Sequence, residues 1–291
     1  MKIGVITKNQ NSWCSKKIIE AFNKKNASTL IFSLPEIVSR VGFKPYFEVK
    51  GVDASKLDGV LVRPIGPGSL DEVIFRVDSL HRLSRLGVPV INPPHAIERA
   101  ADKYFTLTLL EEAGLRIPKT VATENIREAL KAFVDTGQNA VLKPIFGSRG
   151  LGITRTSDYE TTRRILRLLH YNHLVLYIQE YVKHENCDMR CLVIGGRIAA
   201  AMYRVSKNWK TNISQGGKPI PFKPNEEIER IAVRAAQAIG CEVAGVDLME
   251  DESGVMVHEV NSQPGFIGLQ MSSGVDIASE IVDYVISKTK K

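Results

Sequence analysis

Asp247, Glu259 and Asn261 are the residues whose types and spacing point most sharply to chemistry. Residues 255–261 read Val-Met-Val-His-Glu-Val-Asn, a strand whose period of two puts Glu259 and Asn261 on one face. The run Val246-Asp247-Leu248-Met249 returns to it through a turn at 251–254. With that turn centred near Ser253, Asp247 stands opposite Glu259, and opposed residues share a face. Two carboxylates and an amide on an apolar hairpin make a site for a hard cation that also holds phosphate oxygens. A solvated strand face is the plainer explanation, but acids confined to positions that can meet argue against it. By the same alternation His258 falls on the opposite face and is not counted as a ligand.

A second grouping is Lys143-Pro144-Ile145-Phe146-Gly147-Ser148-Arg149-Gly150-Leu151-Gly152. Its glycines let the backbone bend tightly and turn N–H groups onto phosphate oxygens, while Lys143 adds a point charge. This is a triphosphate clamp or, more plainly, a hairpin turn. No Gly-Lys-Ser/Thr follows, so it is not a Walker A loop; it leads into the Thr-rich strand at 153–156, so it is not a dinucleotide fingerprint either. Residues 175–182 form an apolar strand running into polar residues, whose backbone can bond an adenine ring, and Asp188 downstream can take ribose hydroxyls. Residues 204–217, rich in cations and amides around Trp209, suit a substrate-facing lid, although a surface loop is the default.

These residues need elements to position them. Strands at 3–6, 30–32, 59–62 and 88–91 alternate with a helix carrying Ile18, Ile19 and Phe22 and a helix over 70–86 carrying Val73, Val77 and Leu80. That alternation builds a parallel sheet. Asn92-Pro93-Pro94 is expected to end this unit, because proline lacks the backbone donor that either element needs. A helix over 97–113 follows, closed by Gly114. Capping boxes at Asn125/Glu128 and Ser157/Glu160 start helices that flank a strand at 140–143 and the glycine-rich loop. Strands at 175–179, 190–194 and 198–204, a helix at 226–239 and a hairpin over 243–260 complete the chain. The fold class is α/β with α+β lobes, cut into an N-terminal domain (1–98), a central lobe with the glycine-rich loop (99–185) and a C-terminal lobe with the metal hairpin (186–291).

With 291 residues, 44% hydrophobic and 24% charged, the composition is that of a globular protein and excludes disordered, collagen-like and disulfide-scaffold chains. The net charge of +7 favours anionic partners, but the basic residues are dispersed and form no stripe for nucleic acid. Cys14, Cys187, Cys191 and Cys241 form no Cys-x-x-Cys pair and read as reduced thiols; His170 and His173 fall on a basic, Leu-rich helix as a surface coincidence. The longest uncharged stretch, 260–275, is too polar for a membrane span. The first apolar run is too short for a signal peptide, so a cytoplasmic protein with no membrane partner is expected.

Taken in order, these segments resemble the ATP-grasp carboxylate-amine ligases, specifically the RimK-like glutamate-ligase branch. The matching pieces are Asp102-Lys103, Lys143 with the 147–152 loop, Gln179-Glu180-Tyr181-Val182, Asp188-Met189-Arg190, Trp209-Lys210-Thr211-Asn212 with Gly216-Gly217, Gly245-Val246-Asp247, and residues 258–265, together spanning about residues 90–270. The resemblance implies an ATP-grasp fold behind an N-terminal parallel-sheet domain. It implies that Lys103, Lys143, Gly147, Ser148, Arg149, Gly150, Lys210, Thr211 and Asn212 contact the nucleotide, Gln179, Glu180, Tyr181 and Val182 the adenine, and Asp188 the ribose. Asp247, Glu259 and Asn261 would bind two Mg2+ or Mn2+ ions, and Arg190 and Arg204 are candidates to stabilise phosphoryl or acyl-phosphate oxygens.

The implied reaction transfers the γ-phosphoryl group of ATP to a substrate carboxylate, after which the amino group of L-glutamate attacks the acyl phosphate. Upstream, residues 63–86 resemble the branch that adds α-linked glutamate to tetrahydromethanopterin; similar ligases act on a deazaflavin coenzyme tail or a ribosomal-protein C-terminus. The implied partners are L-glutamate and an anionic carboxylate acceptor, with a homo-oligomer left open. Two other classes compete. A nucleotide- or RNA-binding module, suggested by the net charge and by Tyr171, Tyr177 and Tyr181, leaves the metal residues without a purpose. A kinase would leave its phosphoryl group on the product and form no amide.

Overall fold

In the computed structural model, which describes residues 1–147 and 150–289, the chain begins with strand β1 (Lys2–Ile6), whose Ile3 and Val5 are fully buried. Helix α1 (Trp13–Lys24) is started by the Ser12 hydroxyl, which accepts from the Ser15 N–H, and it turns Ile18 and Phe22 inward. Strand β2 (Ser28–Phe32) returns parallel to β1. A small antiparallel sheet, β3 (Ile37–Ser39), β4 (Phe47–Val49) and β5 (Val52–Asp53), then interrupts the alternation; its strands are too short for periodicity to announce them. Strand β6 (Gly59–Val62), helix α2 (Leu70–Arg85) and strand β7 (Val90–Ile91) complete a parallel sheet of order β2-β1-β6-β7. The chain leaves β1 toward one edge and returns on its other side, so a topological switch point lies between the carboxyl ends of β1 and β6.

Strand β7 ends just before Asn92-Pro93-Pro94, and the prolines also start the next helix. Pro94 is the first residue of α3 (Pro94–Ala101), where its missing N–H would have had no helical partner. The single helix expected over 97–113 is two, α3 and α4 (Lys103–Glu112), broken at Asp102, whose carboxylate accepts from the Phe105 N–H at 2.9 Å. A short acidic side chain competes for backbone donors and so favours a helix start over an interior. Strands β8 (Thr120–Thr123), β9 (Ala140–Leu142), β10 (Thr154–Thr156) and β11 (Leu176–Glu180) form an antiparallel sheet of order β10-β9-β11-β8. Helices α5 (Ile126–Asp135) and α6 (Tyr159–Tyr171) share a core with this sheet through Phe133, Leu142, Leu166 and Ile178. Asn125 caps α5 by accepting from the Arg127 N–H, but the expected reciprocal capping box with Glu128 does not form. Asp158, not Ser157, caps α6, because the extended backbone persists one residue further (φ −111°, ψ 127°).

The remainder is a five-stranded antiparallel sheet of order β14-β13-β12-β15-β16, built from β12 (Cys187–Ile194), β13 (Arg197–Val205), β14 (Lys218–Pro221), β15 (Val243–Asp251) and β16 (Gly254–Asn261). Helix α7 (Glu226–Ile239) packs Ile228, Ala232 and Ile239 into a core with Cys191, Val246 and Val257. Two further helices, α8 (Ile267–Ser273) and α9 (Ile277–Lys288), follow the hairpin. Helix α9 buries Ile277, Ile281 and Val285 in one core with Ile3, Ile18 and Phe22, so the last helix closes on the first strand and helix. Asn92, just after β7, adds a polar staple: its carbonyl accepts from the Glu242 and Val243 N–H groups (2.8 and 2.7 Å), and its amide donates to the Val243 and Ser262 carbonyls. The parallel sheet is thereby tied to both strands of the last hairpin. Among the described residues, no helix is long and apolar enough to cross a membrane.

Candidate active site

The hairpin register places Asp247 opposite Glu259, as the turn position implied. The ladder then slips: Leu248 pairs with Val257, and His258 is left over as a bulge. A bulge breaks strict alternation, so consecutive side chains can be aimed to the same side. His258 therefore lines the cleft beside Glu259, with Nε2 3.3 Å from Lys143 Nζ, and does not face away. Asn261 stands opposite Gly245 and is not among the residues that line the cleft; its amide nitrogen is buried without a partner.

The cleft is walled by residues of the two larger antiparallel sheets. From the central sheet come Val141, Lys143 and Gln179; Gln179 accepts from Lys143 Nζ at 2.6 Å and donates to Thr120 Oγ1 at 2.8 Å. Lys143 is 6% exposed. Burial pulls its pKa down to about 8, against the opposing pull of Glu259. Burial also lowers the pKa of Lys103, again opposed by Glu259. Two poorly solvated ammonium groups facing one carboxylate form a site that a further anion would relieve.

The glycine-rich loop is fastened from two sides. Lys103 Nζ donates to the Gly147 carbonyl at 2.8 Å, and Lys210 Nζ donates to the Ile153 carbonyl at 2.8 Å. Gly150 adopts φ +72°, a conformation that favours glycine, and a Cβ there would lie 3.0 Å from Asn212 Oδ1. Ser148 and Arg149, expected in the phosphate clamp, lie outside the described residues. Thr211 and Asn212 line the cleft below this loop. Glu180, Tyr181 and Val182 line the opposite wall. The Glu180 carboxylate accepts from the Lys119 N–H, and the Tyr181 ring is covered by the Arg155 guanidinium at 3.4 Å and by the edge of Trp209.

Beneath the cleft runs an alternating charge ladder on β13, β12 and β15. Asp188 pairs in register with Arg204, and Arg190 with Asp247. Arg204 donates to both Asp188 oxygens (2.7 and 2.5 Å) and lies 3.1 Å from Asp247, while the Thr211 hydroxyl donates to Asp188 at 2.6 Å. Arg190 grips Asp247 through Nε and Nη2. Burial alone would push the Asp247 carboxyl up; Arg190 and Arg204 outweigh it and hold that group below the ordinary carboxylate range. Burial likewise opposes the charge on Arg204, and Asp247 and Asp188 more than restore it. Arg204, Asp188 and Asp247 line the cleft, whereas Arg190 stands outside its wall, near Gly245 and Pro264.

The donor set suits a hard cation. Asp247 and Glu259 present carboxylates to the same cleft, and the Glu259 carboxylate makes no hydrogen bond to a described residue. Among the described residues no three His, Cys, Asp or Glu gather into a cage. An ion here would therefore complete its shell with phosphate oxygens and water, as magnesium does with nucleotides. Sequence reasoning missed His258, which the bulge redirects, and His184, a wall residue whose ring meets Tyr181 and whose Nδ1 lies 3.2 Å from the Cys187 carbonyl. Neither carries a spacing signal, because bulges and loop folds leave no period.

Comparison with known proteins adds three findings. Residues 100–285 match the RimK-like ATP-grasp domain. Over the whole length of both chains, the sequence is 39% identical to the tetrahydromethanopterin:alpha-L-glutamate ligase of Methanocaldococcus jannaschii and 34% identical to the enzyme of that name from Methanococcus maripaludis. The fold matches the ATP-grasp ligase PsnB, solved with a phosphomimetic precursor variant, Mg and ADP, at a TM-score of 0.74 and 20% identity, covering 98% of this chain and 97% of the other.

Proposed function

The chain belongs to the RimK-like ATP-grasp family, and from that premise we propose that it is an ATP- and magnesium-dependent ligase joining L-glutamate through its amino group to a carboxylate of tetrahydromethanopterin. One observation carries the choice of acceptor. Relatives named tetrahydromethanopterin:alpha-L-glutamate ligase are 34–39% identical over the whole chain, residues 1–99 included, whereas those named probable alpha-L-glutamate ligase align as far at only 27–30%.

The chemistry follows from the charges. A carboxylate and a triphosphate repel each other, so both must be neutralised before they can meet. Lys143 and Lys103 would hold phosphate oxygens, and the loop residues fastened at Gly147 and Ile153 would cover them and exclude water. Asp247 and Glu259, which both line the cleft, would hold magnesium, which when bound neutralises charge on the phosphates; Asn261, outside the cleft wall, is not in position to join them. The acceptor carboxylate attacks the γ-phosphorus and ADP leaves. The glutamate nitrogen then attacks the acyl carbon, phosphate leaves, and the nitrogen loses its proton. Arg204, kept charged by its two acids, would stabilise oxygens that gain charge in these steps. Water exclusion matters because acyl phosphates hydrolyse.

The test is incubation of the protein with ATP, Mg2+, L-glutamate and, separately, tetrahydromethanopterin, a deazaflavin coenzyme or a C-terminal ribosomal-protein peptide. ADP release that requires both glutamate and the pterin, with a mass gain of one glutamyl unit on the pterin, is the expected result. The same gain on another acceptor reassigns the substrate, and nucleotide binding without any amide product overturns the ligase reading.

A further inference from the structure

Arg63 is a buried cation without an acid partner among the described residues. It follows β6, at the switch point where open parallel sheets bind ligands outside their carboxyl ends, and its N–H donates to the Ile6 carbonyl of β1. The side chain is 5% exposed. Nη2 donates to the Pro264 carbonyl at 3.0 Å, and the guanidinium lies 5.7 Å from the centre of the Phe266 ring. Nε is buried without a partner, and Nη1 makes no hydrogen bond to a described residue. No carboxylate among the described residues pairs with it, and burial disfavours its charge. A cation taken out of water without a counter-charge is costly to keep, so its retention calls for an anion that arrives later.

The surroundings are short of acceptors in the same way. The segment that carries Pro264 also holds Asn261 Nδ2 and Gln263 Nε2, two more buried donors without partners. This segment touches the metal hairpin from behind: a Cβ on Gly245 would lie 2.8 Å from Pro264 and 3.1 Å from Arg190 Nη1. Arg63 holds the Pro264 carbonyl and Arg190 lies beside Pro264 at Gly245, and neither arginine lines the nucleotide cleft. That position excludes the triphosphate as the missing anion. A planar guanidinium with an open Nε/Nη edge matches a carboxylate's two oxygens.

Resting on the ligase reading above, we propose that Arg63 is the anchor for a substrate carboxylate, supported by the donors of Asn261 and Gln263, and that it thereby selects for anionic substrates at the sheet–hairpin junction. The carboxylate comes from either the pterin acceptor or L-glutamate. Arg63→Gln is assayed with saturating ATP and Mg2+, varying L-glutamate and tetrahydromethanopterin in turn. One KM is expected to rise tenfold or more, with kcat within about threefold and the KM for ATP unchanged; whichever KM rises identifies the source. A purely structural arginine would lower the melting temperature on removal, whereas this one, unpaired in the free protein, should leave it unchanged or raise it. Arg63→Lys, which keeps the charge and loses the fork, should give a smaller rise in the same KM. Unchanged constants for both carboxylate substrates overturn the proposal, and so does a variant that cannot fold. Wild-type protein that forms no amide sinks the ligase reading instead, a result distinct from a competent wild type matched by an equally competent variant.

Discussion

Lys143 Nζ and His258 Nε2 lie 3.3 Å apart in the cleft, two nitrogen bases of which only one can hold its charge there. Burial and the neighbouring lysine push the His258 pKa well below its ordinary value, so the imidazole is neutral and accepts from the lysine. The proton that matters belongs to Lys143, whose pKa burial draws down to about 8.

Nucleotide affinity should therefore depend on pH. Below pH 8 Lys143 is charged in the free and bound protein alike. Above it, the free lysine gives up its proton and binding must take one up, so the Kd for ATP should rise by up to about tenfold per pH unit. Stability moves the other way. The unfolded lysine holds its proton to about 10.5, so the ligand-free fold gains stability between pH 8 and 10.5. Calorimetric titrations from pH 7 to 9.5, compared with Lys143→Met, check both signs; an affinity independent of pH in the wild type contradicts the assignment.

Glu259→Gln removes charge from the cleft without removing a hydrogen bond to a described residue. Ligation at ordinary magnesium should fall by about 1000-fold, while the melting temperature stays within a few degrees. ADP release and a thermal melt measure the two halves, and near-normal turnover would show that Glu259 holds no metal.

Asp188→Asn breaks the ladder at its most enclosed pair, leaving Arg204 with Asp247 alone. The cost should be about 3 kcal/mol, because a buried charge loses its partner. The double variant Asp188→Asn/Arg204→Met should be more stable than Asp188→Asn, since no orphaned cation remains. Urea denaturation of the two variants decides it.

Asn92→Ala removes the staple between the parallel sheet and the last hairpin and strands buried backbone groups at Glu242, Val243 and Ser262. A loss of about 3 kcal/mol is expected. Hydrogen exchange should quicken first at the Glu242 and Val243 amides; protection there equal to that of the wild type would show that the staple carries no load.

Sequence by itself determined what repeats or has a local rule. The buried strand at Gly59–Val62 and helix α7 appear where the pattern places them. Period two put Glu259 and Asn261 on one face, and turn geometry set Asp247 opposite Glu259, because register follows from loop length. Tertiary structure alone decided what depends on distant partners. The bulge that swings His258 toward Lys143, the break of one expected helix at Asp102, and the closure of α9 onto α1 leave no period in the chain. The same holds for Arg63: as a letter after a strand it is one arginine among many. Only packing against Phe266 and Pro264, with no acid among the described residues paired to it, makes it an unsatisfied charge, since burial is set by the rest of the fold and not by a residue's neighbours in sequence.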